Sequence, residues 1–344
     1  MAKKQLKVAI VHDWLYGGGA ERVVLELHRM FPDAPIYTSY CSDEWREKLD
    51  GKVVTGWLQR FGGGRLRKFM TLGRIWWFTH LDFTSYDLVI SSCGNGEAKS
   101  VRTPEGTKHI SYIHAPTHYY WRHYEQYLRE PGFGALNWLA RLGLRMLIGP
   151  LRWWDRERAS KRPDVMIANS THTAAEIKEF YGRESVVVQP PIDVERFDVK
   201  APKKKHGFIT VGRQTSYKHN DIILEACNRL QLPLLVVGRG PEHENLERLA
   251  GPTVTLRTDV TDEELPHLIA AGTPLIAYGA GGALDYVIPG KTGEFFADQS
   301  SDALAAALEQ FDAKAYDTRL IQQKASEFSP EAFQRKIRTV IAQQ

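Results

Sequence analysis

The chain has 344 residues, 43% of them hydrophobic and 25% charged, a composition that excludes an intrinsically disordered protein and gives room for two domains of ordinary size. Lysine and arginine number 45 against 41 acidic residues, a net charge of +4, too small an excess to argue for a nucleic-acid partner. Cys41, Cys93 and Cys227 are far apart and form no C-x-x-C pair, so reduced thiols in a cytoplasmic protein are expected.

The first residues, MAKKQLKVAIVHDW, hold a short apolar run that stops at His12 and Asp13, less than a secretory signal needs. No apolar run reaches the ~18 residues of a spanning helix. The expected location is therefore cytoplasmic, with contact to the inner face of a membrane left open. KVAIVH (7–12) reads as a buried strand, and DWLYGGG then leads into the helical stretch AERVVLELHRMF. Gly17, Gly18 and Gly19 allow the backbone close to a ligand, and the helix start behind them offers unpaired N–H groups, which suits a phosphate. A plain strand-to-helix turn fits the same stretch equally well, because it is neither G-x-G-x-x-G nor a Walker loop.

Residues 57–78 (WLQRFGGGRLRKFMTLGRIWWF) contain Arg60, Arg65, Arg67, Lys68 and Arg74 among Trp57, Phe61, Phe69, Trp76, Trp77 and Phe78, with no acid. Residues 138–158 (WLARLGLRMLIGPLRWWDRER) have the same character. Basic, aromatic, amphipathic segments suit the surface of an anionic bilayer. The alternative is that the aromatics pack on a core while the cations are solvated. Both readings stand for 57–78, and packing is expected for 138–158.

YDLVISS (86–92), HISYIH (109–114), DVMIANS (164–170) and SVVVQPP (185–191) are further buried-strand candidates. The proline-rich, lysine-rich stretch around 192–206 has no periodicity and reads as a linker. The pattern then restarts with GFITVG (207–212), LPLLVVG (232–238), TVTLRT (253–258), TPLIAY (273–278) and GEFFA (293–297), and residues 301–344 look helical throughout. Apolar strands alternating with helical stretches indicate parallel sheets covered on both faces. The fold class is therefore α/β, with two doubly wound, Rossmann-like domains facing a cleft. Residues 1–191 form the first, 207–325 the second, and 326–344 a helix expected to pack back on the first.

In FITVGRQTSYKHNDIILEAC the strand ends at Gly212, Arg213 follows at once, and Lys218 stands just before a helix that Asn220 or Asp221 could cap. A guanidinium and an ammonium at the carboxyl end of a first strand can hold a diphosphate. Surface cations with no ligand are the plainer alternative. His114, His118 and His123 are close in sequence, but no His-Glu-x-x-His helix motif is present, and no metal is expected.

The stretches GGGAERVVLEL, YDLVISS followed by AKSV, YIHAPTHYYW, IANSTHTAAEIKEFYG, PPIDVERF, VGRQTSYKHNDIILEA and AAGTPLIAYGAGGALDYVIPGKTGEFF resemble, in order and over nearly the whole chain, the retaining glycosyltransferases of family four, which have the GT-B fold. Within them the chain is most similar to bacterial mannosyltransferases of surface polysaccharide biosynthesis. The resemblance implies that Gly18 and Gly19 approach the donor diphosphate or the reacting sugar, that Arg213 and Lys218 hold the diphosphate, and that His114 lies near the sugar. It implies no metal and no cofactor apart from the nucleotide-sugar substrate. The expected function is hexosyl transfer with retention, mannose from GDP-mannose to a lipid-linked or polysaccharide acceptor, by a peripheral membrane protein contacting the bilayer through 57–78. A non-catalytic protein binding sugar nucleotides or glycans on the same scaffold is the alternative, and a sugar-nucleotide epimerase fits the motifs less well.

One part of the family pattern is missing. Two glutamates spaced Glu-x7-Glu normally lie on a strand and loop between the DEEL helix and the AAGTP turn, but here TDEELPHL runs directly into IAAGTPLIAY. The second sheet should therefore lack one strand, and turnover is expected to be impaired. Pairing of TPLIAY with FITVG would close the gap and set Gly281 and Gly282 near the donor phosphates. Glu263 and Glu264 sit at a helix start, which favours acids, so they do not replace the lost pair.

Overall fold

The computed structural model describes residues 6–61, 70–94, 96–129, 131, 134–197, 199, 207–269 and 272–343. The chain divides into two compact units, Met1–Pro191 with Pro330–Gln344, and Ile192–Ser329. The first holds seven strands: β1 (Val8–His12), β2 (Ile36–Thr38), β3 (Val53–Thr55), β4 (Leu88–Cys93), β5 (Lys108–Ile113), β6 (Val165–Ala168) and β7 (Val186–Val187). All pair in parallel in the order β3-β2-β1-β4-β5-β6-β7. Its helices are α1 (Ala20–Met30), α2 (Asp43–Lys48), α3 (Leu58–Phe61), α4 (Thr71–Thr79), α5 (Tyr124–Arg129), α6 (Asn137–Glu157) and α7 (Thr171–Tyr181).

The alternation of side chains along β1 explains why both faces are covered. Val8 and Ile10 enter one core, with Val24 and Leu27 of α1 and with Phe333, Ile337 and Val340. Ala9 and Val11 enter another, with Trp77, Phe78, Ile177 and Tyr181. A strand buried on both faces reads as a continuous apolar run, as KVAIVH does. Strands β2 and β3 were not among the sequence candidates, because three residues are too few to show a period. Segment 57–78 is mixed, with Trp57, Leu72 and Trp76 exposed. Trp77, Phe78 and Arg74 are buried, whereas the apolar residues of α6 stand largely exposed. Arg65, Arg67, Lys68 and Phe69 lie outside the described residues.

The second unit holds α8 (Asn220–Leu230), α9 (His243–Leu249), α10 (Leu265–Ile269), α11 (Ala283–Tyr286), α12 (Ser301–Gln310) and α13 (Thr318–Ser326), with α14 (Pro330–Ala342) returning to the first unit. The tail is thus three helices rather than continuous helix, broken around Phe311–Asp317, where Phe311 stacks on Tyr316 at 5.3 Å, and again at 327–329. Residues 192–197, expected in the linker, belong to the second unit: the Ile192 N–H donates to the Phe328 carbonyl at 2.8 Å, and Arg196 pairs with Asp262.

Strands β8 (Phe208–Val211), β9 (Leu234–Val237) and β10 (Val254–Arg257) form one parallel sheet in the order β10-β9-β8, and β11 (Leu275–Tyr278) with β12 (Gly293–Phe296) another. The expected pairing of TPLIAY with FITVG is not made. Among the described residues β8 has β9 as its one partner, and β11 has β12. Both half-sheets nevertheless border one core, since Phe208, Ile276 and Phe296 all pack against Leu224, Leu234, Leu304 and Leu308. Inner strands of a doubly wound sheet are buried, as β1 is. Here Val211 is 43%, Leu275 41% and Tyr278 36% exposed.

Candidate active site

In the first unit the strand order reverses between β1 and β4, and ligands of such sheets bind beyond the carboxyl ends of the strands at that point. His12 ends β1 there and Asp13 follows it, Gly94 follows β4, and His114 follows β5. The Asp13 carboxylate is fully buried and accepts the Gly94 and Ala98 N–H groups, both at 2.7 Å, tying the loop after β4 to the end of β1. His12 Nδ1 lies 2.7 Å from the Ser92 carbonyl oxygen. A carbonyl only accepts, so Nδ1 carries a proton and donates. His114 Nε2 lies 2.9 Å from the Ser92 hydroxyl, and its ring meets that of His12 edge-on at 6.4 Å. Burial, with His12 beside it, pushes the His114 pKa down to about 3, so its imidazole is neutral near pH 7.

Gly18 and Gly19 lead into α1, as expected, but the glycine loop already has an internal acceptor. Glu21 Oε1 accepts the Gly17 N–H at 3.1 Å and the Tyr16 N–H at 3.4 Å. A diphosphate placed beside that carboxylate would be repelled, so this loop suits a sugar hydroxyl better.

Two buried ion pairs brace the site from behind. Arg74 Nη2 lies 2.7 Å from Glu97, whose Oε1 also accepts the Tyr119 hydroxyl at 2.9 Å. Arg74 was expected on a bilayer-facing surface; a buried carboxylate that needs a cation accounts for its position. Lys99 Nζ lies 2.6 Å from Asp155. Asp155 also accepts from Trp121 Nε1 at 2.8 Å and the Tyr181 hydroxyl at 3.0 Å. His118 and His123 face each other at 6.3 Å, and among the described residues no group of His, Cys, Asp or Glu could hold a metal. All three cysteines are buried and unpaired.

In the second unit Arg213 follows β8, and Lys218 lies in the turn before α8. Both are exposed, and neither has an ion-pair partner among the described residues. Gly238 and Gly240 allow the β8 and β9 loops to touch: a Cβ at either would stand 2.0 Å from the carbonyl oxygen of Gly212 or Gln214. The residue capping α8 is His219, in the left-handed region at φ +49°, with Asn220 and Asp221 inside the helix. Sequence reasoning missed two neighbours of the cations. Gln214 Nε2 and Thr215 Oγ1 are buried with no hydrogen-bond partner among the described residues. Their only signal was position at the end of a first strand. Gly281 and Gly282 precede α11 on the half-sheet that β8 does not join. Glu264 is engaged by Arg257 at 2.5 Å and so has a structural use of its own.

A family model for glycosyltransferase family 4 matches residues 17–196, more than half of the chain. The chain belongs to glycosyltransferase family 4. Among solved structures it resembles HepE of Anabaena, crystallised with UDP and glucose, at 16% identity over 99% of this chain and 100% of that one, with a TM-score of 0.64. A glycosyltransferase of Rickettsia africae gives 12% identity over 97% of each chain and a TM-score of 0.60. AviGT4, a glycosyltransferase of avilamycin A biosynthesis, gives 15% over 97% and 96%, with 0.53. At these identities the likeness supports the fold, two Rossmann-like domains of the GT-B type. A search among curated proteins gave no match.

A buried histidine away from the site makes folding pH-dependent. His109 is fully buried, 2.9 Å from the Ser91 hydroxyl, and burial pushes its pKa down to about 4. The unfolded chain takes up a proton below about 6.5, while the folded chain does not until near 4. Stability is thus full above pH 6.5 and lost as pH falls, by roughly 2 kcal/mol for this histidine at pH 5. Urea unfolding at pH 7.5 and pH 5 should show a smaller acid loss in His109→Gln than in the wild type; an equal loss would contradict the assignment.

Proposed function

We propose that this family 4 glycosyltransferase transfers a hexosyl group, mannose from GDP-mannose, to a lipid-linked or polysaccharide acceptor at the cytoplasmic face of a membrane, with retention and without a metal or other cofactor. The observation that carries the donor assignment is the end of β8, where Arg213 and Lys218 flank the two orphaned polar groups of Gln214 and Thr215. As the bond from the sugar to the diphosphate breaks, negative charge collects on the leaving phosphate. A forked guanidinium and an ammonium there stabilise it more than they stabilise the intact donor. The sugar carbon meanwhile gains positive charge. A neutral His114 can hydrogen-bond a sugar hydroxyl without adding to that charge, which a protonated imidazole would do. The glycine loop, with Glu21 inside it, serves the sugar side in this reading. No phosphate contact is assigned to Gly281 or Gly282. The UDP and glucose bound by HepE make a UDP-hexose the first competitor for the donor.

A strand–loop–helix unit absent between α10 and β11 is part of the proposal. Its support is that, among the described residues, β8 pairs only with β9 and β11 only with β12, so each keeps an unpaired edge. The unit would carry the missing acidic pair, and its absence favours a second reading, donor binding without turnover. Transfer assays of His114→Ala test the site. The expected result is a fall in turnover of roughly 10²–10³-fold with nucleotide affinity kept. Collapse of nucleotide affinity would make His114 structural, and a wild type that binds donor but never turns over would select the second reading.

A further inference from the structure

We infer that the exposed face of α6 is a docking surface for an anionic lipid bilayer. Trp138, Leu142, Met146 and Trp153 lie within an arc of roughly 60–80° at 3.6 residues per turn, and they are 64%, 48%, 70% and 54% exposed. Large apolar side chains aligned for most of a 21-residue helix form a contiguous patch, which a monomeric soluble surface rarely presents without a use. The helix is anchored on its other side, where the fully buried Asp155 holds Lys99, Trp121 and Tyr181, so the stripe is held facing outward.

Charge selects the occupant. From 137 to 154 the helix has Arg141, Arg145 and Arg152 and no acidic residue. Arg141 and Arg152 donate to the Leu128 and Tyr120 carbonyls and Arg156 lies 3.6 Å from Glu157, whereas Arg145 beside the stripe and Arg158 at its end are exposed, with Arg158 lying 5.4 Å over the Trp153 ring. Its one fully buried acid, Asp155, faces inward. Tryptophans at an interface and arginines reaching to phosphate head groups form the pattern of a helix lying in the bilayer surface. The helix lies on the membrane rather than crossing it, since no described helix is long and apolar enough to span one.

The test uses the full chain and lipid vesicles, and is read independently of donor binding. The chain should sediment with vesicles containing about a third phosphatidylglycerol and much less with pure phosphatidylcholine, and added salt should weaken the binding. The triple variant Trp138→Ser, Leu142→Ser, Met146→Ser removes exposed groups only, so its thermal melt should match the wild type while vesicle affinity falls by on the order of tenfold or more. Arg145→Glu should weaken binding to the anionic vesicles alone. A wild type that stays in the supernatant with both vesicles would overturn the inference, as would a folded triple variant that binds like the wild type. A dimer in light scattering that the triple variant dissociates, without vesicle binding by the wild type, would assign the stripe to self-association instead.

Discussion

Asp155→Ala is expected to destabilise the first unit by about 3–5 kcal/mol, the cost of leaving one member of a buried ion pair uncompensated. Lys99 and Asp155 are 1% and 0% exposed and 2.6 Å apart, and Lys99 has no route to solvent once its carboxylate is gone. The Lys99 ammonium also holds the Gly96 carbonyl at 2.7 Å, so the loop that Asp13 fixes at Gly94 and Ala98 would loosen as well. The paired variant Lys99→Met with Asp155→Leu removes both charges and should recover much of the loss, though Trp121 and Tyr181 still lose an acceptor. Denaturant unfolding followed by circular dichroism checks this. A loss well under 1 kcal/mol for Asp155→Ala would mean that the pair is solvated and does not brace the site.

Arg213→Ala is expected to weaken nucleoside-diphosphate binding by about 1.5–3 kcal/mol, roughly 10- to 150-fold in Kd, with no change in stability because the side chain is exposed. Arg213→Lys should recover only part of the affinity, since an ammonium keeps the charge but loses the bidentate fork. Titration of each variant with the nucleoside diphosphate separates these cases. Unchanged affinity in Arg213→Ala would remove Arg213 from the site.

Much of the first unit could be read from the residues. Its β1 is a continuous apolar run because both its faces are covered, and the glycine loop and His114, like the β8 cations of the second unit, stand at the carboxyl ends of strands, where such sheets bind ligands. The parts that escaped depend on partners distant in sequence. Lys99 and Asp155 look like solvated charges until the fold sets them 2.6 Å apart. The character of α6 was evident in its sequence, but whether a neighbour covers its apolar stripe is not written in the helix itself. TPLIAY and FITVG were each recognisable as strands, yet which strand lies beside them depends on the whole sheet. Glu21 could have been found, since an acid two residues into a helix after three glycines is placed to cap its own loop.

The central claim is that the carboxyl end of β8 remains a nucleotide-sugar site although its sheet is open on one side. Calorimetric titration of the full chain with GDP-mannose, and with UDP-glucose for comparison, tests it most directly. The account predicts saturable binding of GDP-mannose, lost or strongly weakened in Arg213→Ala. A protein shown to be folded that binds neither would contradict it, and would mean that the gap beside β8 has abolished the donor site.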